Sequence, residues 1–160
     1  MRRIRNPFRD SEDNGYGCFG CSSANRFGLK LEFWDNGEDL LAFWIPERRF
    51  EGFRDVLHGG IQATLMDEIA SWYVFVKCGT SGVTSGMEIQ YKRPLLITDG
   101  VITISASLKE KAKRIATISC KISGKEGVVY STAEVKYFLF PEEIAREKYR
   151  YPGIEAFSDE

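Results

Sequence analysis

The chain has little of what marks a secreted, membrane or nucleic-acid-binding protein. None of its 160 residues falls in a run of the roughly 18 apolar residues that a membrane span needs. The basic residues within 1–10 are not followed by the apolar stretch of a secretory signal. With 22 Lys and Arg against 23 Asp and Glu, the net charge of −1 gives no global attraction to nucleic acid. We therefore expect a cytoplasmic protein that binds neither membranes nor nucleic acid.

Cysteine is also scarce, and its four copies do not form a recognisable metal motif. Cys18 and Cys21 have the spacing of half a zinc site or of a redox pair, but Cys78 and Cys120 stand alone. A structural zinc site needs four ligands. We therefore expect two ordinary reduced thiols at Cys18 and Cys21, with no metal and no cofactor.

What is present predicts one α+β domain. Period-two alternation predicts strands, and a single long stretch has helical periodicity. Strands that surround one helix favour an antiparallel sheet of about six strands with one face covered. Residues 1–17 are predicted to form an N-terminal arm, 18–140 the main domain, and 141–160 a short helix and tail. The predicted strands are 29–34, 40–45, 83–93, 101–108, 114–123 and 128–140, and the long helix is 58–77.

The long helix has one bulky face and one face of small residues. The bulky face is expected to pack into the sheet and comprises Ile61, Leu65, Ile69, Trp72, Tyr73 and Val76. The small face is expected to let a backbone or a ligand approach, and it comprises Gly60, Ala63, Thr64, Asp67, Ala70, Ser71 and Val74. Asp67 lies in the middle of the small face, which favours a functional carboxylate over a solvated one. For Glu68, the next residue, we expect a solvated carboxylate.

Gly59 and Gly60 lie at the predicted helix start, where free N–H groups and the helix dipole stabilise negative charge. Asp67 is eight residues beyond Gly59, or about 12 Å along the helix axis. One substrate carbonyl cannot contact both groups on the same helix. If both act on one substrate, they belong to different chains, so the spacing predicts an obligate dimer with two-fold symmetry.

Several segments resemble hot-dog thioesterases of the phenylacetate-pathway (PaaI-like) type. The helix segment His58-Gly-Gly-Ile-Gln-Ala-Thr-Leu-Met-Asp67 is similar to the signature of that family. So are Phe50-Glu-Gly-Phe53, Tyr91-Lys-Arg-Pro94 and Cys18-Phe-Gly-Cys-Ser-Ser-Ala-Asn-Arg-Phe-Gly-Leu29. The resemblance covers residues 18–140 and implies a hot-dog fold, an acyl-CoA substrate, and dimers that often pair into tetramers.

The resemblance also implies roles for individual residues. It makes Asp67 the catalytic acid residue, acting as general base or as nucleophile, and the Gly59 N–H the oxyanion donor. Ser71 would orient water, and His58 would shape the pocket rather than act as a base, since no Gly-x-Ser-x-Gly motif accompanies this single histidine. An Asn or Gln that family members often carry before the His-Gly-Gly motif is missing here.

Coenzyme A carries phosphates, and the candidates to hold the substrate are Gly60, Lys92, Arg93, Lys113 and Arg114. Two other functions remain open from sequence. One is a hot-dog protein that binds acyl-CoA without turnover. The other is a hydratase or dehydratase, for which His58 would be the sole candidate histidine.

Overall fold

A computed structural model of the protein describes residues 1–9 and 16–158. Two α-helices are present: α1, Gly59–Tyr73, which continues as a π-helical turn over Val74–Cys78, and α2, Glu142–Tyr149. Both confirm helices predicted from the sequence. Residues 10–15 of the predicted N-terminal arm and 159–160 of the predicted tail lie outside the described residues.

One antiparallel sheet forms the rest of the fold. Within the described residues it has seven strands in the order β1-β2-β3-β5-β6-β7-β4, and α1 packs against β3 to β7. This is the sheet wrapped around one long helix that defines the hot-dog fold, so the predicted fold is confirmed with a higher strand count. The strands are β1 Arg2–Arg3, β2 Trp34–Asn36, β3 Asp39–Trp44, β4 Gly82–Tyr91, β5 Ile102–Ala112, β6 Ile115–Ser123 and β7 Val129–Leu139.

The first predicted strand, 29–34, is wrong in its bounds, because β2 begins only at Trp34. Its alternation is nevertheless real, since Leu29, Leu31 and Phe33 are buried. Two of their amides bond to a preceding loop instead of a strand: Leu29 N–H donates to the Phe19 carbonyl and Leu31 N–H to that of Gly20. Every second residue of this segment is therefore buried, although the segment does not pair with a neighbouring strand.

The faces of α1 divide differently from the prediction. The bulky residues from Leu65 to Val76 are buried, as expected. On the small face, Ala70 and Val74 are fully buried within the chain, so the backbone that approaches them belongs to the chain's own sheet and not to a ligand. The sheet curves around the helix and covers more of its circumference than a flat sheet would. Asp67 and Ser71 remain partly exposed.

Both ends of the described chain pack onto the sheet and helix. Ile4 N–H donates to the Phe33 carbonyl, and Arg5 N–H donates to the Phe157 carbonyl. Phe157 is 1% exposed and packs edge to face against Trp72. The division into an arm, a domain and a tail stays a prediction. No helix within residues 1–9 and 16–158 combines the length and hydropathy needed to cross a membrane.

Replacing Phe157 with alanine is expected to lower the free energy of unfolding by about 3–5 kcal/mol, because a buried aromatic ring leaves a cavity. Ile154→Ala in the same segment is the matched control, since Ile154 is 50% exposed and its loss should change the free energy by less than about 0.5 kcal/mol. Urea unfolding measures both. A loss of unfolding free energy for Phe157→Ala as small as that for Ile154→Ala would show that the C-terminal segment does not contribute to the core.

Candidate active site

The start of α1 is held in place by its own histidine. His58 is the N-cap residue, and its Nδ1 accepts a hydrogen bond of 2.8 Å from the Gly60 N–H. The imidazole ring therefore caps the first turn of the helix through its Nδ1. Gly59, the first residue of the helix, has no intrahelical acceptor for its N–H. That N–H lies at the positive end of the helix dipole.

Gly59 opens onto a cleft of about 460 Å³. On one side of the cleft, the Tyr91 hydroxyl donates a 2.7 Å hydrogen bond to the Gly59 carbonyl. Phe53, which also lines the cleft, is 86% exposed in the single chain. The cleft is lined by Phe53, Gly59, Tyr91, Lys92, Arg93 and Pro94, among others.

Asp67 is fixed by two hydroxyl groups. Thr84 Oγ1 donates to Asp67 Oδ1 over 2.8 Å, and Tyr137 Oη lies 2.9 Å from the same oxygen. Within the described residues, no hydrogen bond reaches Oδ2. Burial, and then the charge of Asp67, raises the pKa of Tyr137, so the phenol keeps the proton that it donates. The carboxylate is thus oriented through one oxygen while the other is left to interact with water or substrate.

Gly59 and Asp67 are linked to opposite ends of the same strand, β4. Tyr91, at the last position of β4, contacts Gly59, whereas Thr84, near its beginning, contacts Asp67. Among the described residues, β4 pairs only with β7, so its other edge is open over ten residues. An open edge of this length is a template for pairing with another strand.

The comparison with family models agrees with this architecture. Residues 55–131 match the model described as the thioesterase superfamily. Over this segment the chain resembles the thioesterase superfamily. The matched segment begins before α1 and ends in β7, so it includes Gly59, Asp67 and the whole of β4. No curated protein sequence gives a significant match.

Solved structures that are similar to this chain have the same fold. A hypothetical thioesterase from Streptococcus pneumoniae, solved with coenzyme A, is 20% identical with a TM-score of 0.64 over 70% of this chain and 87% of that chain. The E. coli PaaI protein, from the phenylacetic acid degradation operon, is 16% identical, with a TM-score of 0.63 over 71% and 82%. Thioesterase superfamily member 2 from zebra fish is 23% identical, with a TM-score of 0.62 over 69% and 82%.

The four basic residues predicted to bind the substrate separate into two groups. Lys92 and Arg93 line the same cleft as Gly59. Lys113 and Arg114 form the turn between β5 and β6, at the end of the sheet where β4 begins. A single chain therefore does not bring the two groups together. Gly60 is exposed beside Gly59, and Ser71 is partly exposed one turn beyond Asp67.

The expectation of a solvated Glu68 is wrong. Its carboxylate turns away from Asp67 towards the loop before β2, where Cys18 Sγ lies 3.4 Å from Glu68 Oε1. Burial, and next the charge of Cys18, raises the pKa of Glu68 to about 7. A hydrogen bond from the Cys21 thiol lowers the pKa of Cys18 to about 5. The sequence does not show this contact, because the partners are 50 residues apart.

Other residues of the site were also missed from the sequence. Thr84 and Tyr137 orient Asp67, and Tyr91 bonds to Gly59, yet none of the three was predicted to take part. Alternation along β7 could have indicated that Tyr137 points inward, since Val135 and Leu139 flank it at period two and are buried. Its distance to Asp67 depends on how the sheet curves, which the alternation does not give.

Proposed function

We propose that the protein hydrolyses an acyl-CoA thioester at a site shared by two subunits. The observation that carries this proposal is the attachment of Asp67 and Gly59 to opposite ends of the open strand β4. Antiparallel pairing of β4 with its copy, about a two-fold axis, would bring the Thr84 end of one strand beside the Tyr91 end of the other. Asp67 would then face Gly59 of the second subunit. Within one chain the two residues cannot meet at one substrate, because they lie about 12 Å apart along the same helix.

The chemistry follows from the two groups. The Gly59 N–H donates a hydrogen bond to the thioester carbonyl oxygen and stabilises the negative charge that develops there. Asp67 either removes a proton from an attacking water or attacks the carbonyl carbon itself to give an anhydride that water then cleaves. In both routes the C–S bond breaks, the CoA sulfur leaves as thiolate and takes up a proton, and the acyl group leaves as free acid. Thr84 and Tyr137 hold the Asp67 carboxylate in its orientation, and Ser71 orients the attacking water.

The positive side chains suit the nucleotide end of the substrate. Lys92 and Arg93 lie in the Gly59 cleft, where they would pair with phosphates of coenzyme A. In the paired dimer, Lys113 and Arg114 belong to the end of the sheet that carries Asp67. The coenzyme A bound to the Streptococcus pneumoniae relative supports this substrate class. Assembly of two dimers into a tetramer and a cytoplasmic location stay predictions from the sequence.

A panel of aryl, short-chain and long-chain acyl-CoA substrates tests the proposal. Release of the CoA thiol, followed with a thiol reagent, is expected for at least one class, and light scattering is expected to give the mass of a dimer or of a dimer of dimers. Hydration of crotonyl-CoA is assayed in parallel and should not occur. Saturable acyl-CoA binding with no thiol release across the panel would establish a non-catalytic acyl-CoA-binding protein instead.

A further inference from the structure

Three side chains that can bind metal meet beside α1, away from the Gly59 cleft. The Sγ atoms of Cys18 and Cys21 and a carboxylate oxygen of Glu68 all lie within 4.8 Å of one another. Two ligands of a tetrahedral zinc ion, each about 2.0–2.3 Å from the metal, lie about 3.3–3.8 Å apart. The 3.4 Å between Cys18 Sγ and Glu68 Oε1 falls in this range.

The loop that carries the two cysteines is closed by a tight turn. The Ser22 N–H donates to the Cys18 carbonyl over 3.0 Å, so Cys18 and Cys21 belong to the same turn. A Cβ at Gly20 would overlap the Glu68 side chain, so a larger residue there would displace the carboxylate.

The carboxylate is also held in position from its other side. Trp72 Nε1 donates to Glu68 Oε1 over 3.2 Å, which is the kind of outer contact that orients a metal ligand. Tyr16 Oη lies 2.7 Å from Cys21 Sγ and does the same for that sulfur. None of the ion pairs formed by the described residues involves Glu68.

We propose that Cys18, Cys21 and Glu68 bind one Zn²⁺ ion, with water at the fourth position. Two soft sulfur ligands and one carboxylate in a tetrahedral arrangement favour zinc over magnesium or calcium, which take oxygen ligands. The ion would join the loop before β2 to α1 at the residue next to Asp67. It replaces the sequence-based expectation of two ordinary thiols, and it does not depend on the proposed hydrolysis.

The full-length protein, purified under reducing conditions and dialysed after zinc loading, is expected to retain about one zinc per chain. Glu68→Gln keeps the size of the side chain and removes the ligand charge, and it should weaken zinc binding by roughly 10- to 100-fold. Cys18→Ser should abolish retention. Cys78→Ser is the matched control, because Cys78 is a half-buried free cysteine outside the cluster, and it should retain zinc like the wild type.

Two further readouts keep the test decisive if a variant folds poorly. Cobalt added to the metal-free wild-type protein should give a thiolate-to-cobalt charge-transfer band and the visible bands of tetrahedral cobalt. At the same zinc concentration, the melting temperature should rise more in the wild type than in Glu68→Gln. The proposal is overturned if no metal is retained and no thiolate–cobalt band forms, or if Cys78→Ser loses as much zinc as Cys18→Ser. A Cys18–Cys21 disulfide in metal-free protein that rebinds no zinc after reduction also overturns it.

Discussion

Asp67→Asn is expected to lower kcat on the best acyl-CoA substrate by about 10²- to 10⁴-fold and to leave the fold intact. Asparagine has the same shape, and its Oδ1 can still accept the hydrogen bonds from Thr84 and Tyr137 that position Asp67. What is lost is the charge needed to remove a proton from water or to attack the thioester. Initial rates of thiol release, together with circular dichroism spectra, measure both parts of the expectation.

Two tyrosines on β7 provide a graded test of the same carboxylate. Tyr137→Phe removes the hydroxyl that contacts both the Oδ1 and the main-chain carbonyl of Asp67, and it should lower kcat by at least about 10-fold, as expected for the loss of a bond of about 1.5 kcal/mol to a charged group. Tyr130→Phe is the matched control, because the Tyr130 hydroxyl bonds to Asp99 instead, and it should leave kcat unchanged. Wild-type rates in Asp67→Asn would refute the proposed role of this residue in either catalytic route.

Gly59→Pro is expected to reduce kcat by about 10²- to 10³-fold, because it removes the single N–H proposed to stabilise the oxyanion. Proline is well suited to the first position of a helix, and the extended ψ of 131° at His58 suits a residue before proline. Gly59→Ala is the matched control, since it adds a Cβ but keeps the N–H. That Cβ would meet the Tyr91 ring at 3.4 Å, an ordinary contact.

Mixed dimers then separate a shared site from a site within one chain. An Asp67→Asn chain and a Gly59→Pro chain, coexpressed with different affinity tags, can be purified in sequence to give only mixed dimers. In each mixed dimer, one site has both native groups and the other has neither. The expected activity is therefore about half that of the wild-type dimer. Activity no higher than that of the two parent variants would mean that Asp67 and Gly59 do not act across the interface.

The sequence predicted the elements whose periodicity depends on local burial. The helix start at Gly59, the four strands that follow α1 and the position of Asp67 on a partly open helix face all follow from spacing of apolar and small residues. It did not predict that β4 would lie at the edge of the sheet, because strand order depends on pairing between distant segments.

The errors have a common physical cause. Ala70 and Val74 are small enough to suit an exposed helix face or a close-packed one, and only the curvature of the sheet determines which. Glu68 is polar, so its sequence context favours solvent, yet a loop 50 residues earlier encloses it. The glycine that permits this enclosure, Gly20, carries no local signal of what it approaches. Contacts between distant segments decide each of these cases.

The arrangement of β4 has a genetic consequence if the active site is shared. Two alleles that each carry one defect, in Asp67 or in Gly59, should complement each other in the same cell, since mixed dimers keep one intact site. An allele that carries both defects in one chain should behave as a dominant negative. Every dimer that it forms with a wild-type chain would lack Asp67 in one site and the Gly59 N–H in the other.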